Sequence, residues 1–313
     1  METNELGTTG IEASTLGLGA GGSSRLGLEQ GASDAKALEL IETGLELGVT
    51  FIDTAEGYNN EHVIGEAIER HGRDTFQIST KFSLWADGES RTSEDLEPAL
   101  DASLDRLQSE YVDVYHLHGV NYTDYESAVE RFVPELNRLK AEGKIRAIGI
   151  TEATANDPEH KMLSQAVTDD HWDAVMVGHN LLNHSARDRV LEPAAERGIG
   201  TIGMVAVRRA LSDQQRLRET IEELIESGEV DPNLVDPDSP FDFLLHEDGA
   251  DDIFDAAYRF CRHEPHLDTV LTGTGSIAHL TKNAASAMAG PLPEGDLETL
   301  AERFGNVDSV IGN

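Results

Sequence analysis

Apolar positions along the chain follow two spacings in turn, and this predicts alternating strands and helices. Short runs rich in β-branched and aromatic residues, such as 49–52, predict buried strands. The segments between them, such as 34–47, carry an apolar residue every three or four positions, which is the spacing of an amphipathic helix. Strictly alternating strands and helices are typical of right-handed βαβ units built on a parallel sheet.

Eight strands are predicted, which is the number that closes a parallel barrel. They are expected at residues 16–18, 49–52, 76–80, 112–117, 145–150, 174–177, 199–205 and 269–271. Helices are expected at 34–47, 61–69, 93–107, 125–141, 158–167, 185–197, 214–227 and 278–289, and residues 6–14 are interpreted as a polar lead-in. The sequence therefore predicts an α/β protein, a (β/α)8 TIM barrel forming a single domain over residues 1–313.

Three successive predicted strands lead to titratable side chains. The first leads to Asp53 and, one short loop later, to Tyr58; the second leads to Lys81 and the third to His118. All strand ends of a parallel barrel face one mouth. The open doubly wound alternative would need a complete fingerprint, a G-x-G-x-x-G turn between a strand and a helix with an acidic residue about 20 positions on, and this complete fingerprint is not found. Taken singly, each side chain is more often a capping carboxylate, a packing ring or a surface charge. Together they predict a site, because a buried lysine is costly unless it is paired.

The D-T-A-x-x-Y pattern from Asp53 to Tyr58, with Lys81 and His118 in register, resembles the aldo-keto reductase superfamily. The resemblance runs through nearly the whole chain and implies an NAD(P)H-dependent oxidoreductase that interconverts a carbonyl (aldehyde, ketone or sugar) and an alcohol. It implies Tyr58 as general acid, Lys81 held by Asp53 as the charge that stabilises the phenolate, and His118 as hydrogen-bond donor to the substrate oxygen.

Two alternatives remain beside this interpretation. The same fold also carries non-catalytic nicotinamide-nucleotide-sensing regulatory subunits, but the intact Asp53, Tyr58, Lys81 and His118 favour an enzyme. His116 and His118 are spaced like metal ligands on one strand face, yet no cysteine or second histidine pair supports a metal, so none is predicted. His116 is interpreted as a packing or supporting residue.

The resemblance also implies where a nicotinamide cofactor binds. The implied residues form a glycine-rich turn after the first strand, the ends of the fifth to seventh strands and the start of the last helix: Gly19, Ala20, Gly21, Asp53, Thr151, Glu152, Met176, Met204, Val205, Gly273, Thr274, Gly275, Ser276, His279 and Asn283. Three positions depart from the family. Glu152 and Met176 stand where relatives carry carboxamide-binding Asn and Gln, and Met204 replaces an aromatic ring that covers the nicotinamide.

The adenosine end of the cofactor site lacks the strong cations that many NADPH-using relatives carry there. Gly273 and His279 stand in their places, while Asn283 is retained. NADPH is predicted as the cofactor because of the family, with NADH as the alternative, since a 2′-phosphate usually has a charged partner. Arg208 or Arg209, after the seventh strand, are candidates to supply that charge. The long segment from 208 to 268 is expected to lie at the mouth and close over cofactor or substrate.

The amino-acid composition limits the classes of binding partner and indicates the salt concentration to which the protein is adapted. The chain has 59 Asp and Glu against 24 Lys and Arg, a formal charge of -35, which excludes binding to nucleic acid or anionic membrane through a basic field. The charge favours a halophilic, acidic protein over an ordinary acidic one, because about 1 M salt screens repulsion beyond about 3 Å. No apolar leader or membrane-length run is evident, so a cytoplasmic protein is expected; the expected partner is a small carbonyl or alcohol substrate, and the oligomeric state is left open.

Overall fold

A computed structural model describes residues 1–86 and 88–312. Two positions of the predicted domain 1–313, Asp87 and Asn313, therefore lie outside the described residues. Eight strands form a closed barrel in which every neighbouring pair is parallel. The order around the barrel follows the chain, and the last strand pairs with the first. The predicted (β/α)8 barrel is therefore confirmed.

The strands of the described part are β1 (Thr3–Glu5), β2 (Glu12–Ser14), β3 (Leu16–Gly19), β4 (Phe51–Asp53), β5 (Gln77–Ser83), β6 (Trp85–Ala86), β7 (Glu89–Ser90), β8 (Val112–Val120), β9 (Ile145–Glu152), β10 (Ala174–Gly178), β11 (Gly200–Met204) and β12 (Thr269–Thr272). The barrel consists of β3, β4, β5 and β8 to β12, and the pairs β1–β2 and β6–β7 are antiparallel. Strands β5 and β8 run three residues beyond the prediction, so Lys81 and His118 lie within strands.

The helices are α1 (Asp34–Glu46), α2 (Glu61–His71), α3 (Leu96–Leu107), α4 (Tyr125–Ala141), α5 (Lys161–Ala166), α6 (Glu192–Glu196), α7 (Arg209–Ser212), α8 (Gln214–Ser227), α9 (Ile253–Arg262), α10 (Ile277–Met288) and α11 (Glu294–Phe304). Local signals explain several ends. Asp213 caps α8 by accepting from the Arg216 N–H, and the left-handed Gly228 ends that helix. Ser276 caps α10 in the same way, accepting from the His279 N–H. None of the helices within 1–86 and 88–312 is long and apolar enough to span a membrane.

The barrel interior is filled from its N-terminal end by apolar side chains. The members of this cluster are Leu6, Ile11, Ala13, Phe51, Val114, Ala147, Ala174, Met176 and Ile202. Leu6, Ile11 and Ala13 come from the β1–β2 hairpin, which closes the bottom of the barrel, so the polar lead-in expected at 6–14 was wrong in this respect. An apolar floor of this kind leaves the polar groups of the interior at the opposite, C-terminal end of the strands.

Other boundaries differ from the predictions for local reasons. The helix expected at 158–167 is shortened to α5, because His160 adopts a left-handed conformation just before it. The helix expected at 185–197 begins as a π-helical turn, Arg187–Leu191, before α6. The helix expected at 93–107 begins as a 3-10 turn, Ser93–Asp95, which Thr92 and Asp95 cap ahead of α3. Helices α7 and α11 were not predicted, whereas α8 matches its predicted bounds.

Candidate active site

Asp53 and Lys81 form a buried ion pair at the ends of adjacent strands. Strands β4 and β5 pair so that Asp53 lies opposite Ser79, two residues before Lys81 on the same face. Lys81 Nζ lies 2.6 Å from Asp53 Oδ2 and donates to the Thr54 carbonyl at 2.7 Å, while Ser79 Oγ donates to Asp53 Oδ1 at 2.8 Å. Asp53 is 4% and Lys81 1% exposed, so each charge depends on the other for compensation.

Tyr58 and His118 lie above this pair, toward the mouth. Lys81 Nζ is 5.3 Å from the centre of the Tyr58 ring, and the Tyr58 hydroxyl is 3.3 Å from His118 Nε2. The two rings meet edge to face, with centres 5.7 Å apart. The structure therefore brings together all four side chains that the sequence assigned to catalysis.

Burial shifts the pKa values of His118 and Asp53. Burial, together with the Lys81 charge, lowers the pKa of His118 to about 3, so its imidazole is neutral at ordinary pH. A neutral imidazole still donates one hydrogen bond, from whichever nitrogen carries the proton. Burial raises the pKa of Asp53 above its ordinary value, and the charge and hydrogen bond of Lys81 oppose that rise.

The loop carrying Tyr58 is tied to the neighbouring strand end by residues that the sequence did not single out. Asn60 is fully buried; its Nδ2 donates to the Ala20 carbonyl at 2.7 Å, and its Oδ1 accepts from Thr54 Oγ1 at 2.7 Å. A Cβ on Gly21 would lie 2.6 Å from the Tyr58 ring, so any side chain at this position would displace the ring. The predicted glycine-rich turn thus lies directly against the Tyr58 ring.

His116 lies inside the barrel, opposite Lys81 in the pairing of β5 with β8. A Cβ on Gly149 would come within 2.2 Å of its Nδ1, so the imidazole occupies the space that this glycine leaves. Burial, with the charge of Lys81, lowers the pKa of His116 well below its ordinary value. His116 is therefore a neutral packing residue beneath the site, in agreement with its interpretation from sequence.

On the opposite side of the mouth, Thr151 and Glu152 are engaged by the protein itself. Thr151 Oγ1 accepts from the Gly119 N–H at 2.7 Å. Glu152 Oε1 accepts from the Gly178 N–H at 2.8 Å, and Oε2 lies 2.9 Å from Nδ1 of the fully buried His160. Burial raises the pKa of Glu152, and His160 opposes the rise. Glu152 thus braces β10 against the loop after β9; its predicted contact with a carboxamide stays a prediction.

The methionines expected near the cofactor differ in position. Met176 is 2% exposed and belongs to the apolar floor of the barrel, whereas Met204 is partly exposed at the end of β11. Val205, which follows Met204, has a φ of 60°. A β-branched residue rarely adopts this left-handed conformation, and such strain is typical of functional loops. Asn180 Nδ2 holds this turn by donating to the Val205 carbonyl at 3.1 Å.

The segment expected to receive the adenosine end begins helix α10. Gly273, Gly275 and His279 are exposed, and Thr274 is buried with its Oγ1 accepting from the Ser276 N–H at 3.0 Å. A Cβ on Gly275 would lie 2.5 Å from the Cα of Gly27, so the loop after β3 packs closely against this segment.

Two further polar side chains of α10 have partners within the protein. Asn283 Nδ2 donates to Thr272 Oγ1 at 2.9 Å, which ties α10 to β12. Lys282 Nζ forms an ion pair with Asp252. Neither group points to a cationic subsite at this helix.

Arg208 is half-buried, Arg209 is exposed, and both lie where the long segment leaves β11. Burial, helped by the charge of Arg209, lowers the pKa of Arg208, and an interaction with Tyr58 opposes this, which places Arg208 within electrostatic reach of the phenol. Part of the long segment lies at the mouth, since Arg216 and Thr220 of α8 share a cavity of about 150 Å³ with Thr154, which follows β9. Its last helix, α9, packs instead against β12 and α10. The closure of this segment over a ligand stays a prediction.

Trp85 and Tyr122 extend from the ends of β5 and β8. They are 54% and 51% exposed, so each presents about half of its surface to solvent. Among the supporting residues, Ser79 could have been found from sequence, since it precedes Lys81 by two positions and therefore shares its strand face. Asn60, Glu56 and His160 gave no such signal, because their partners come from distant segments.

Comparisons with known proteins agree with the barrel fold and indicate one family. The sequence model of the Aldo/keto reductase family matches residues 15–303. The uncharacterized oxidoreductase YqkF of Bacillus subtilis (strain 168) is 24% identical over 310 residues, covering 96% of this chain and 95% of that protein. L-galactose dehydrogenase of Arabidopsis thaliana is 32% identical over 157 residues, which is 48% of each chain.

Among solved structures, the holo form of aldo-keto reductase AKR11C1 from Bacillus halodurans superposes with a TM-score of 0.74 at 22% identity, covering 96% of both chains. That likeness supports the fold. The family match spans most of the sequence, and aldo-keto reductases are oxidoreductases that use nicotinamide cofactors. The chain therefore belongs to the aldo/keto reductase family.

Proposed function

We propose that this protein is an NAD(P)H-dependent reductase that interconverts a carbonyl and an alcohol, with Tyr58 as the general acid. The observation that carries the proposal is the arrangement of Asp53, Lys81, Tyr58 and His118 at one mouth, with the phenol 3.3 Å from His118 Nε2. An oxygen placed between these two groups would meet two hydrogen-bond donors.

The residues present fit a nicotinamide dinucleotide. Helix α10 has 12 residues and presents its capped N-terminal turn at exposed Gly275, which suits a phosphate group. Gly21 keeps the space beside the Tyr58 ring free of a side chain. NADPH is the proposed cofactor because of the family, and NADH is the alternative, because the exposed His279 stands at this turn in place of a strong cation. When bound, the cofactor supplies or takes up the hydride.

The protein's own groups handle the proton. In reduction, Tyr58 donates its hydroxyl proton to the substrate oxygen, and the Lys81 ammonium stabilises the phenolate that remains. Asp53 and the Thr54 carbonyl hold Lys81 in place. The neutral His118 orients the substrate oxygen by a hydrogen bond. In the oxidising direction, which would include a sugar dehydrogenase such as the matched L-galactose dehydrogenase, the phenolate accepts the proton.

The substitution Tyr58→Phe tests this proposal, since it removes the acid and little binding surface. We expect a loss of roughly 100- to 10,000-fold in kcat for carbonyl reduction, the usual contribution of general acid catalysis. The dissociation constant of NADPH, measured by fluorescence titration, should stay within about twofold. Wild-type turnover in the variant would show that the acid is assigned wrongly.

A further inference from the structure

The loop of residues 53–60 carries Tyr58, and its two ends are fastened by Lys81 and Asn60 as described above. Glu56 fastens its middle, two residues before Tyr58. Glu56 lies in a short 3-10 turn, Glu56–Tyr58, so its side chain and the phenol leave the backbone within one turn. A displacement of Glu56 would therefore be passed to Tyr58.

One oxygen of Glu56 joins this loop to the strand that carries Lys81. Glu56 Oε1 accepts from the Ser83 N–H at 2.8 Å and from Arg91 Nη1 at 2.5 Å. Arg91 Nη1 also lies 3.3 Å from the Ser83 carbonyl oxygen. The side chains of Arg91 and Glu56 are 16% and 19% exposed, so this ion pair is shielded more than an ordinary surface pair.

Arg91 is itself held firmly beside the β6–β7 hairpin. Its N–H donates to the Leu84 carbonyl at 2.9 Å, its carbonyl accepts from the Arg131 guanidinium, and its Cζ lies 3.9 Å from the centre of the buried Phe82 ring. The hairpin lies between Leu84 and Arg91 in the chain and presents Trp85 to solvent at the mouth. Any shift of the hairpin would therefore reach Glu56 through Arg91.

We propose that Glu56 is a positioning residue for Tyr58, and that its ion pair with Arg91 couples the hairpin carrying Trp85 to the proton donor. A substrate that contacts the hairpin would thus set the position of the phenol. The inference rests on the proposed role of Tyr58 as general acid. A misplacement of about 1 Å in a reacting group is enough to reduce a rate about 100-fold. A small shift of Glu56 that moves the phenol can therefore change the rate substantially.

The first test compares two substitutions of Glu56. Glu56→Ala removes the acceptor, and we expect kcat to fall on the order of 10- to 100-fold with the NADPH dissociation constant unchanged. Glu56→Gln keeps an oxygen acceptor for Ser83 and Arg91 and should recover most of kcat. Glu135→Gln, which alters an exposed pair with Arg138 on α4, is the matched control and should change neither quantity. Equal turnover in wild type and Glu56→Ala would overturn the proposal.

The second test asks whether Glu56 acts through the phenol. In a Tyr58→Phe background the phenol is absent, so Glu56→Ala should cost no further rate. A full multiplicative loss in the double variant would overturn the inference while leaving the function intact. Wild-type turnover in Tyr58→Phe alone would instead overturn the proposed function. The two failures are therefore distinguishable.

The third test addresses the hairpin. Arg91→Gln should lower kcat by less than Glu56→Ala and shift the emission of Trp85, identified by subtracting the spectrum of Trp85→Phe. Combined with Glu56→Ala, the effects on kcat should be less than multiplicative, because both changes remove the same contact. Thermal melts show which variants are folded, and independent effects of the two substitutions would contradict the coupling.

Discussion

The two halves of the barrel mouth use their polar residues differently. In the half formed by β3, β4, β5 and β8, the polar groups contact one another: Lys81 contacts Asp53, and Tyr58 contacts His118. In the half formed by β9 to β12, the polar groups contact the framework: Glu152 pairs with His160 and the Gly178 N–H. The polar groups of the first half surround the proposed acid Tyr58, whereas those of the second half hold the loops of that half in place.

This difference shows where a sequence motif predicts the geometry of a site and where it does not. In the first half, four residues form a unit whose geometry follows from strand register, because β4, β5 and β8 are neighbours. In the second half, Glu152 and Met176 depart from the family pattern; Glu152 contacts His160 and the Gly178 N–H, and Met176 belongs to the apolar cluster of the barrel interior. A substituted position therefore informs on function only when its new partners are known.

The largest effect is expected from breaking the ion pair of the first half. Lys81→Met leaves Asp53 buried without its cation, and removing one partner of a buried pair typically costs about 3–5 kcal/mol of stability. We expect loss of that order in chemical denaturation, together with loss of reductase activity. Asp53→Asn combined with Lys81→Met should recover stability but not activity. Equal stability of the single and double variants would contradict the assigned pairing.

The charge state of His118 gives a second prediction. Burial holds its pKa at about 3, so the imidazole stays neutral as pH falls from 8 to about 4. The raised pKa of Asp53 means that this carboxylate takes up a proton first, as pH falls through that pKa, and its pairing with Lys81 is then lost. The acid limb of log kcat/KM against pH should therefore have the same midpoint in wild type and in His118→Gln. A wild-type limb near pH 6.5 that vanishes in the variant would contradict a neutral His118.

Most of the fold followed from the sequence, because hydrophobic periodicity is strong in a barrel. The barrel strands coincide with short apolar runs of the sequence. Helix α8 ends at Ser227, directly before Gly228, which takes a left-handed conformation. The β1–β2 hairpin did not follow, since Leu6, Ile11 and Ala13 are separated by polar residues and their burial depends on closing the barrel floor. Apolar periodicity within a short window of sequence cannot reveal that a hairpin packs against distant strands at the barrel floor.

The site was predictable only where it is made of strand ends. Asp53, Lys81 and His118 were found because parallel strands bring their ends together. Glu56, Asn60 and His160 were not, because each is a loop or turn residue whose partner lies 8 to 40 positions away. The strain at Val205 likewise has no sequence signal.

A third, smaller effect is expected in the second half. Glu152→Gln keeps an acceptor for the Gly178 N–H but removes the charge beside His160, so we expect a loss of about 1–3 kcal/mol in unfolding free energy. Because both carboxylate oxygens already have partners, the NADPH dissociation constant should change by less than about twofold. A tenfold weaker dissociation constant at unchanged stability would instead make Glu152 a direct cofactor ligand.

The last prediction concerns the choice between NADPH and NADH, which we expect to be weak in the wild type. His279 is exposed in the first turn of α10, and Lys282 of the same helix is paired with Asp252. Without a strong cation at this turn, wild type should discriminate weakly between the two nucleotides. Installing a guanidinium by His279→Arg adds a charge-assisted hydrogen bond, worth roughly 1.5–3 kcal/mol, or about 10- to 150-fold at most.

We therefore expect His279→Arg to tighten NADPH binding and leave NADH binding nearly unchanged, as measured by titrating both nucleotides. Arg208 offers a competing arrangement, since it lies on the loop after β11 and within electrostatic reach of Tyr58. If Arg208 already reaches the 2′-phosphate, wild type will prefer NADPH strongly, Arg208→Ala will abolish the preference, and His279→Arg will add little. If the preference is strong and survives Arg208→Ala and Arg209→Ala together, neither arginine accounts for it. The 2′-phosphate is then held by another group, and the weak site proposed at His279 is wrong.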